Sequence, residues 1–351
     1  MNITFILGNG FDLNLNLHTD YKSFYNYYKN LPSVGEYADA IAKVKMEFND
    51  FLARRKGDVL TGTDSIDWSD LESGLGQYVN EIPSEDEYEA VYYDIRNSLR
   101  DYLKIQEAHL PLLPPIDMHS FYQDLTGLEH YLLPADIINF LAFKQTCNSK
   151  HYYIRILTFN YTKTFEHIIG NNKSYVLPDG EKVDVSEVRH IHRLIDQLIL
   201  GVNDVTQVDN HTLKELTFVQ ETLIKPSHCS TYGDNNAANC IEYIGKADLI
   251  VLYGVSLGKT DNKWWQALAS KMRRDDRTRI MIFWFEKDYP DYTNDAPRRS
   301  RAERKVFDKL SSMMGLSASE KATFQKRIYV HLIKRDKRIF DLPKLPDLKD
   351  V

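Results

Sequence analysis

The feature that most constrains the fold is an apolar run over residues 2–7 that leads directly into a glycine turn, Gly8-Asn9-Gly10. A short apolar run rich in β-branched and aromatic residues and closed by glycines predicts a buried strand. Similar runs predict strands over residues 152–158, 188–192, 197–201, 247–253, 279–285 and 327–333. Short apolar strands separated by helices are typical of a mainly parallel sheet that is covered on both faces. We therefore expect a Rossmann-like α/β core.

Between residues 24 and 147 the pattern becomes helical, with no convincing strand alternation. Thr19 is expected to cap a helix that extends through Tyr28, and residues 34–52 repeat apolar residues at helical spacing. Ser69 with Glu72, and Ser84 with Glu87, have the spacing of capping boxes. This region is therefore predicted to be a large helical insertion in the core.

The chain is accordingly divided into four segments. Residues 1–18 hold the first strand and turn of the α/β core, and residues 19–147 form the helical insertion. Residues 148–335 complete the core, with further helices expected over residues 162–169, 212–223, 261–272 and 299–314. A mobile loop is expected over residues 225–239. Residues 336–351 form a tail, in which residues 341–351, with two prolines and alternating charge, are expected to be poorly ordered.

The composition narrows the class of protein. Hydrophobic residues make up 43% of the 351 residues and charged residues 27%, as in soluble globular proteins. No apolar run reaches the ~20 residues that a membrane helix needs, and the opening residues lack the basic start of a signal peptide. Three cysteines without CxxC spacing fit a reducing cytoplasm and argue against a structural zinc site. We expect a cytoplasmic protein without membrane contact.

Nucleic acid is the less expected partner. The net charge is −6, and basic residues concentrate only late in the chain, over residues 271–274 and 297–301. Such clusters are ordinarily solvated helix faces, although contact with phosphates needs only a local patch of positive charge.

Two glycine turns carry the first chemical signal. Gly8 and Gly10 would let the backbone approach a phosphate, and the following helix would supply N–H donors. The turn is not the GxGxxG fingerprint, because Leu13 stands at the third glycine position. The second turn, Gly254-Val255-Ser256-Leu257-Gly258, also follows a predicted strand, and Thr260 and Asp261 are expected to cap a helix that begins at Asn262. Asp12, directly after the first turn, is expected to meet a ribose hydroxyl, to orient another side chain, or to cap the next helix.

Polar residues at the ends of two other strands carry the second signal. Asn160 follows the strand over residues 152–158, and ligands of open parallel sheets bind beyond the carboxyl ends of strands. Its amide would hold a ribose hydroxyl or a water; alternatively, Asn160 and Thr162 form only a turn and an N-cap, and Glu166 only complements the helix dipole. His190 and His192 would face the same side of a strand. His192 suits a general base or a ribose partner, a structural role is equally open, and no metal is expected because no third ligand has sensible spacing.

These stretches together resemble the AbiH family of bacterial abortive-infection proteins. The family's GNGFD turn is matched by residues 8–12, and its Leu-x-Thr-x-Tyr segment by residues 17–21. Its Trp-x-Asp-x-Glu, FNYTxTFE and GxSLGxTD elements are matched by residues 68–72, 159–166 and 254–261. The resemblance extends from residue 2 to about residue 270. One position departs from it: Arg193 follows His192 where the family usually has a His-Gly pair, and an arginine there would close the turn differently or lie on a phosphate.

The order of the motifs is also similar to that of sirtuin-like NAD-consuming domains of phage-defence systems. In those domains an asparagine of a Thr-x-Asn turn and the histidine of a His-Gly pair carry catalysis, and the matching positions are Asn160 and His192. Thr162 replaces the sirtuin-type aspartate. The resemblance implies an anti-phage abortive-infection effector that binds a nucleotide and hydrolyses NAD, with no permanently bound cofactor.

The residues implied by this hypothesis fall into three groups. Asn160, His192 and Asp12 are the predicted catalytic residues, and Glu72, Glu166 and Arg193 are the predicted supporting residues. The predicted nucleotide contacts are Gly8, Asn9, Gly10, Phe11, Thr19, Tyr21, Thr158, Tyr161, Gly254, Ser256, Gly258 and Asp261.

Two alternatives remain open at this stage. One is a catalytically silent nucleotide sensor that switches a partner protein, which the Arg193 and Thr162 departures favour. The other is a nucleic-acid-cleaving toxin that uses the late basic clusters, although it lacks the acidic metal ligands that two-metal phosphodiester cleavage requires. Expected partners are a nucleotide and a phage-derived trigger, and an oligomer is compatible with the sequence.

Overall fold

The computed structural model describes residues 1–56, 68–78, 82, 84–147, 150–208, 215–225, 235–286, 292, 295–333 and 339–346. The strands in this part of the chain form one seven-stranded sheet. They are Asn2–Leu7 (β1), His151–Thr158 (β2), Ser174–Val176 (β3), Lys182–His190 (β4), Leu249–Tyr253 (β5), Arg279–Phe285 (β6) and Ile328–Ile333 (β7).

The strand order is β3-β4-β2-β1-β5-β6-β7, and neighbouring strands of this sheet are parallel except for β3 and β4. Apart from β3, the chain moves outward from β1 through β2 to β4, returns to the other side of β1, and moves outward again through β5, β6 and β7. This is the strand order of a doubly wound Rossmann sheet. The predicted fold class, an α/β core with a mainly parallel sheet, is confirmed.

Helices fill the connection between β1 and β2, and the described residues there contain no strand, as the sequence predicts. They are Gly10–Asn14 (α1), Tyr21–Tyr28 (α2), Ala38–Lys56 (α3), Trp68–Tyr78 (α4), Glu85–Glu107 (α5), Met118–Thr126 (α6) and Pro134–Thr146 (α7). The later helices are Thr164–Ile169 (α8), Thr217–Thr222 (α9), Asn236–Lys246 (α10), Asn262–Arg274 (α11), Ala296–Met313 (α12) and Ala318–Phe324 (α13). The division of the chain at residues 18, 147 and 335 stays a prediction.

Both faces of the sheet are buried. Phe5 on β1 packs in one apolar cluster with residues of α6 and α7, whereas its neighbour Ile6 packs in another with residues of α10, α11 and α12. Successive side chains of a strand point to opposite faces, so this alternation places helices on both sides of the sheet. A third cluster lies among α2–α5 and residues 195–224, which gives the helical region a core of its own.

Two of the predicted helix starts differ from the structure. Asp20, not Thr19, caps α2, because its side chain accepts a hydrogen bond from the Ser23 amide at 3.0 Å. Ser69 lies inside α4, which begins one residue earlier, and is therefore not its cap. The predicted cap at Ser84 is confirmed, since its hydroxyl accepts from the backbone N–H of Glu87.

The predicted strand over residues 197–201 is wrong. Ile195–Gln197 is a short 3-10 helix, and residues 198–201 lie outside the strands. Their carbonyls serve the helical region instead: Arg96 Nε donates to Leu198 O at 3.1 Å, and the Tyr92 hydroxyl donates to Leu200 O at 2.8 Å. A short buried apolar run does not by itself distinguish a strand from a packed connection.

The predicted loop over residues 225–239 is only partly described. Residues 226–234 lie outside the described residues, but Asn236 already begins α10, so its last residues are helical. Within the predicted helix over residues 212–223, the described part is helical from Thr217 to Thr222. No sequence pattern predicted β3, α10 or α13.

The expectation of poor order is wrong for residues 341–346, and residues 339 and 340 directly before them are also buried. Phe340 is buried, and its backbone amide donates to Asp124 Oδ2 at 2.9 Å. Its carbonyl accepts from Asn14 Nδ2 at 2.8 Å, and the amide of Leu345 donates to Leu15 O at 2.9 Å. Prolines and charges predicted disorder here, but the apolar side chains between them anchor the segment to the core. Residues 336–338 and 347–351 lie outside the described residues.

No helix in the described part of the chain combines the length and apolarity needed to cross a membrane.

Candidate functional site

Four turns meet at the carboxyl edge of the sheet. Leu7 at the end of β1 pairs with Thr158 at the end of β2 and with Tyr253 at the end of β5. Thr158 in turn pairs with His190, the last residue of β4. The turns over residues 8–12, 159–162, 191–193 and 254–261 therefore begin at the same level. The winding of the chain reverses between β1 and β5, which is where open α/β sheets form their ligand crevice.

The two glycine turns cross each other in direct backbone contact. A Cβ atom on Gly10 would lie 2.6 Å from the Cα of Gly254, and Gly254 itself has φ +66°. No side chain fits between the turns, and only glycine adopts the left-handed conformation without strain. The amide of Gly10 donates to Gly254 O at 3.0 Å, and that of Gly8 donates to Tyr253 O at 2.9 Å. These glycines thus have a structural cause that does not depend on a ligand.

Asp12 is the centre of the first polar network, which we call the Asp12 network (Asn9, Asp12, Thr19, Asn160, Thr162). The carboxylate is buried at 1% exposure. It accepts from Thr162 Oγ1 at 2.6 Å and from Asn160 Nδ2 at 3.0 Å. The Thr19 hydroxyl lies 3.2 Å from Asp12 Oδ2 and 2.5 Å from Asn9 Oδ1, and donates to one of them at a time.

Burial governs the protonation of Asp12. It raises the pKa of this carboxyl to about 6, although the hydroxyls of Thr162, Thr164 and Thr19 act in the opposite direction. Of the three roles foreseen for Asp12, the described contacts fit the orientation of other side chains. The expectation that Thr162 is an N-cap is wrong: Lys163 is the N-cap residue of α8, and the Thr162 hydroxyl bonds Asp12 instead.

Asn160 is held on three sides. Its backbone N–H donates to Thr158 Oγ1 at 3.0 Å, and its side-chain Nδ2 donates to Asp12. Its backbone carbonyl oxygen lies 2.8 Å from His190 Nδ1. The other ring nitrogen of His190 lies 2.7 Å from Glu166 Oε1. Glu166 therefore does more than complement a helix dipole, because it orients the histidine that supports Asn160.

His192 belongs to a second network, which we call the Lys225 cluster (Glu72, His192, Lys225, Asp261). His192 Nε2 lies 2.9 Å from Asp261 Oδ1. Lys225 Nζ donates to Glu72 at 2.8 Å and to Asp261 Oδ1 at 3.2 Å. Asp261 is the N-cap residue of α11, which begins at Asn262 as expected, but its side chain makes no capping bond and turns to His192 and Lys225.

The charges of the Lys225 cluster stabilise one another against burial. Burial alone would raise the pKa of Asp261, but Lys225 and His192 hold it well below its ordinary value. Burial likewise would lower the pKa of Lys225, which the carboxylates of Asp261 and Glu72 raise above its ordinary value. The pKa of Glu72 is raised by burial, with Lys225 acting in the opposite direction. Asp261 is thus an ionised carboxylate, and Lys225 a buried ammonium.

This charge state defines the hydrogen-bonding role of His192. An ionised carboxylate only accepts hydrogen bonds, so Nε2 must carry the proton it donates to Asp261. Lys225 Nζ, 3.3 Å from Nε2, donates to the same oxygen. In a neutral ring Nδ1 then keeps its lone pair, which is the arrangement of a general base oriented by a carboxylate.

Lys225 is a central residue of this cluster that no sequence motif predicted. It lies 33 residues from His192, 36 from Asp261 and 153 from Glu72, and it matches no motif. A lysine at the start of a polar segment ordinarily indicates a solvated loop, so no local signal identified it.

Of the two arrangements expected for Arg193, the described contact fits a differently closed turn. The residue is buried with φ +68°, a conformation in which glycine is unstrained, and its Nη1 lies 3.5 Å from Gln197 Oε1. The side chain thus bends toward the following 3-10 turn. A glycine at position 193, as in the His-Gly pair that AbiH proteins usually have, would adopt the same backbone conformation without strain.

The other predicted contact residues take different positions. Phe11 packs against Phe165, Tyr253 and Phe340 in the core, and Tyr21 stacks on Tyr25 in the helical region. Near the site, the Tyr161 hydroxyl donates to Ile199 O at 2.9 Å and its ring lies 6.1 Å from that of His192.

In the second glycine turn, the backbone carbonyls hold neighbouring helices. Ser256 O accepts from Lys309 Nζ, and Gly258 O accepts from the Trp265 indole, each at 2.8 Å.

The late basic residues include several ion pairs. Arg273 Nε lies 2.6 Å from Glu320, and Arg299 Nε lies 2.8 Å from Glu303. These pairs neutralise part of the positive charge that the nucleic-acid hypothesis requires.

The chain is similar to a known protein family. The chain matches the family described as "Bacteriophage abortive infection AbiH" over residues 4–284, well over half of its length. The matched range includes all four turns at the carboxyl edge and both polar networks. No curated protein is significantly similar to the chain.

Proposed function

The chain belongs to the AbiH family of bacteriophage abortive infection proteins, and we propose that its carboxyl-edge networks form a site that hydrolyses the N-glycosidic bond of NAD or a related nucleotide. The observation that carries the proposal is His192, whose Nε2 is oriented by Asp261 within a buried cluster of two carboxyl groups and one ammonium. Depletion of a shared nucleotide would stop an infected cell from producing phage.

The reaction has simple requirements. Water attacks C1′ of the ribose while the bond to the nicotinamide nitrogen breaks, and nicotinamide leaves as a neutral base with the bonding electron pair. Positive charge develops on the ribose in between, and the water must lose a proton. The site therefore needs a base, a group that positions water, and negative charge close to the ribose.

The Lys225 cluster supplies the base and the charge. We assign Glu72 the ionised form because its carboxyl oxygen lies 2.8 Å from the Lys225 ammonium. With neutral His192, one ammonium then faces two carboxylates, Glu72 and Asp261, so the cluster favours a cation beside it. Such an excess of charge acts strongly because the groups are withdrawn from water. When Nδ1 of His192 takes the proton from the attacking water, the cluster becomes neutral.

The Asp12 network supplies the water-positioning group. Its bond to Asp12 orients the carboxamide of Asn160, so we assign Oδ1 of Asn160 to the attacking water or to a ribose hydroxyl. Asp12, with a pKa of about 6, is mostly ionised at neutral pH and adds a second source of negative charge. The ring of His192 lies 5.3 Å from that of Phe159, the neighbour of Asn160, which supports a common site for both groups.

In this proposal the backbone amides of the first glycine turn do not bind the phosphates of the nucleotide. The amides of Gly8 and Gly10 already donate to carbonyls of the protein. We therefore assign the phosphate contacts to the polar side chains of the same turns, Asn9 and Ser256. A second candidate is a sensor that binds a nucleotide without cleaving it and acts through a partner protein. Arg193 after His192, and Thr162 in place of the sirtuin-type aspartate, favour this candidate.

The test is incubation of the purified protein with NAD, NADP and ATP, followed by chromatography of the products. His192→Ala and Asn160→Ala should each lower the cleavage rate by ~10²- to 10⁴-fold while nucleotide binding largely persists, because base and water-positioning roles act on rate. Exposed residues of the same types provide matched controls: His167→Ala and Asn171→Ala should leave the rate unchanged.

Thermal unfolding of each variant checks that it is folded. NAD that binds to the wild type and stays intact, in a strain that still resists phage, would replace the hydrolase with the sensor. Absence of any nucleotide binding would refute both candidates.

A further inference from the structure

We propose that a pocket on the opposite, amino edge of the sheet binds a phosphate-bearing small molecule. The cavity measures about 850 Å³ and lies between α7, the first residues of β6 and β7, and the end of α13. Because these strands run parallel to β1 and β5, their first residues are on the edge away from the Asp12 network and the Lys225 cluster. The pocket is therefore a separate site. Its volume falls in the range of small-molecule sites, ~300–1,000 Å³.

Arg279 is the fixed cation of this pocket. Its Nη1 donates to the carbonyls of Asp276 at 3.0 Å and Arg277 at 2.8 Å, and the guanidinium lies 5.1 Å from the centre of the Phe143 ring. These contacts hold the group in place without a carboxylate partner in the described part of the chain. The buried Nε of Arg279 has no hydrogen-bond partner among the described residues.

Tyr329 brings a second unsatisfied donor to the same cavity. The residue is 6% exposed and its hydroxyl lies near Arg279, which has no acceptor atom, so the phenol proton has no acceptor among the residues described. Burial raises the pKa of Tyr329, with Arg279 acting in the opposite direction, so the phenol keeps its proton. Buried donors without an acceptor are rare in folded proteins, and a bound ligand is one of the explanations for them.

The surrounding charges select an anion. Lys326 and Arg277 join Arg279 on the lining, against the carboxyl groups of Asp136 and Asp276. Arg277 is already paired with Asp275 at 3.7 Å, whereas Arg279 and Lys326 form no ion pair within the described ranges. Phosphate is the group that offers enough acceptor oxygens for several such donors at once. Since the volume of the cavity is larger than that of a phosphate ion, we infer that the ligand is an organic phosphate of about the size of a nucleoside monophosphate.

Calorimetric titration of the full chain with AMP, adenosine and inorganic phosphate tests this inference. AMP should bind, phosphate should bind more weakly, and adenosine should not bind. Lys326→Gln removes one exposed cation, and Tyr329→Phe removes one hydroxyl while the ring keeps its packing on Phe140. Each variant should weaken AMP binding by about tenfold, the usual worth of a hydrogen bond to a charged group. Lys305→Gln, at an exposed lysine of α12, should leave the affinity unchanged.

Three results would overturn the proposal: no binding of AMP or phosphate, equal binding of AMP and adenosine, or affinities that neither variant changes. AMP that binds at the carboxyl edge instead would lose affinity in His192→Ala or Asn160→Ala and not in Lys326→Gln, which also refutes the pocket. Conversely, Lys326→Gln and Tyr329→Phe should leave NAD cleavage intact. The two proposals therefore fail independently of each other.

Discussion

Replacement of Asp12 by asparagine should remove a pH dependence from the stability of the protein. The carboxyl group is fully buried, and burial raises its pKa from the ordinary 3.8 to about 6. Asn keeps the shape of the side chain and the acceptor for a threonine hydroxyl, but it has no charge to lose. The variant thus isolates the titration of one group.

The sign follows from proton binding. Because the pKa is higher in the folded than in the unfolded chain, the folded state binds more protons between these two values. The contribution of Asp12 to stability is fully present below pH 3.8 and is lost as the pH rises through about 6. A rise of about two pH units corresponds to ~3 kcal/mol. The free energy of unfolding of the wild type, measured relative to that of Asp12→Asn, should therefore fall by ~3 kcal/mol across this window and stay constant above about pH 7.

Urea unfolding of both proteins from pH 4 to pH 8 measures this difference. Asp308→Asn, at an exposed aspartate of α12, is the matched control and should show no comparable trend. A difference between wild type and Asp12→Asn that is flat over the whole range would refute the buried carboxyl. So would a difference that grows with pH, because that requires a lowered pKa.

Three further substitutions test the backbone and the packing around the site. Gly254→Ala adds a Cβ that would lie 2.7 Å from the backbone of Gly10, in a residue with φ +66°, and should lower the free energy of unfolding by more than ~3 kcal/mol. Gly180, with φ +85° and open space around it, is the control: Gly180→Ala adds backbone strain but no steric clash, and should lower the free energy of unfolding by only ~1 kcal/mol. Equal losses for the two variants in urea unfolding would contradict the crossing of the turns. At φ +68°, Arg193→Gly should be more stable than Arg193→Ala by ~1 kcal/mol in the same assay, and the reverse order would exclude backbone strain there. Phe340→Ala should cost ~3–5 kcal/mol, because its ring is 1% exposed among other aromatic rings, whereas Leu112→Ala, at 55% exposure, should be nearly neutral; a small loss for Phe340 in thermal unfolding would show that the C-terminal segment is not anchored.

Much of the architecture could be predicted because its signals are local. The apolar run before Gly8 and the one before Gly254 each define a strand and its end within a few residues, and the parallel sheet follows from their alternation with helices. The N-cap at Ser84 could also be predicted from the sequence, since its hydrogen-bond partner Glu87 is only three residues away. The segment with Phe340 was not, because prolines and charges indicate disorder locally while its anchors lie in α1 and α6.

The sequence by itself determined the α/β fold and the position of the motif turns at the carboxyl edge of the sheet. It also identified Asn160 and His192 as candidate residues. These features could be predicted because strand ends and glycine turns are short-range properties of the chain. Only the tertiary structure decided what these residues contact. Asp12 meets Asn160 across 148 residues, and Lys225 meets Glu72 across 153. No local pattern encodes such pairs, and the burial that raises the pKa of Asp12 exists only once the sheet and its helices have packed. The physical reason is that charge pairing and desolvation depend on distance in space, whereas periodicity and turn chemistry depend on distance along the chain.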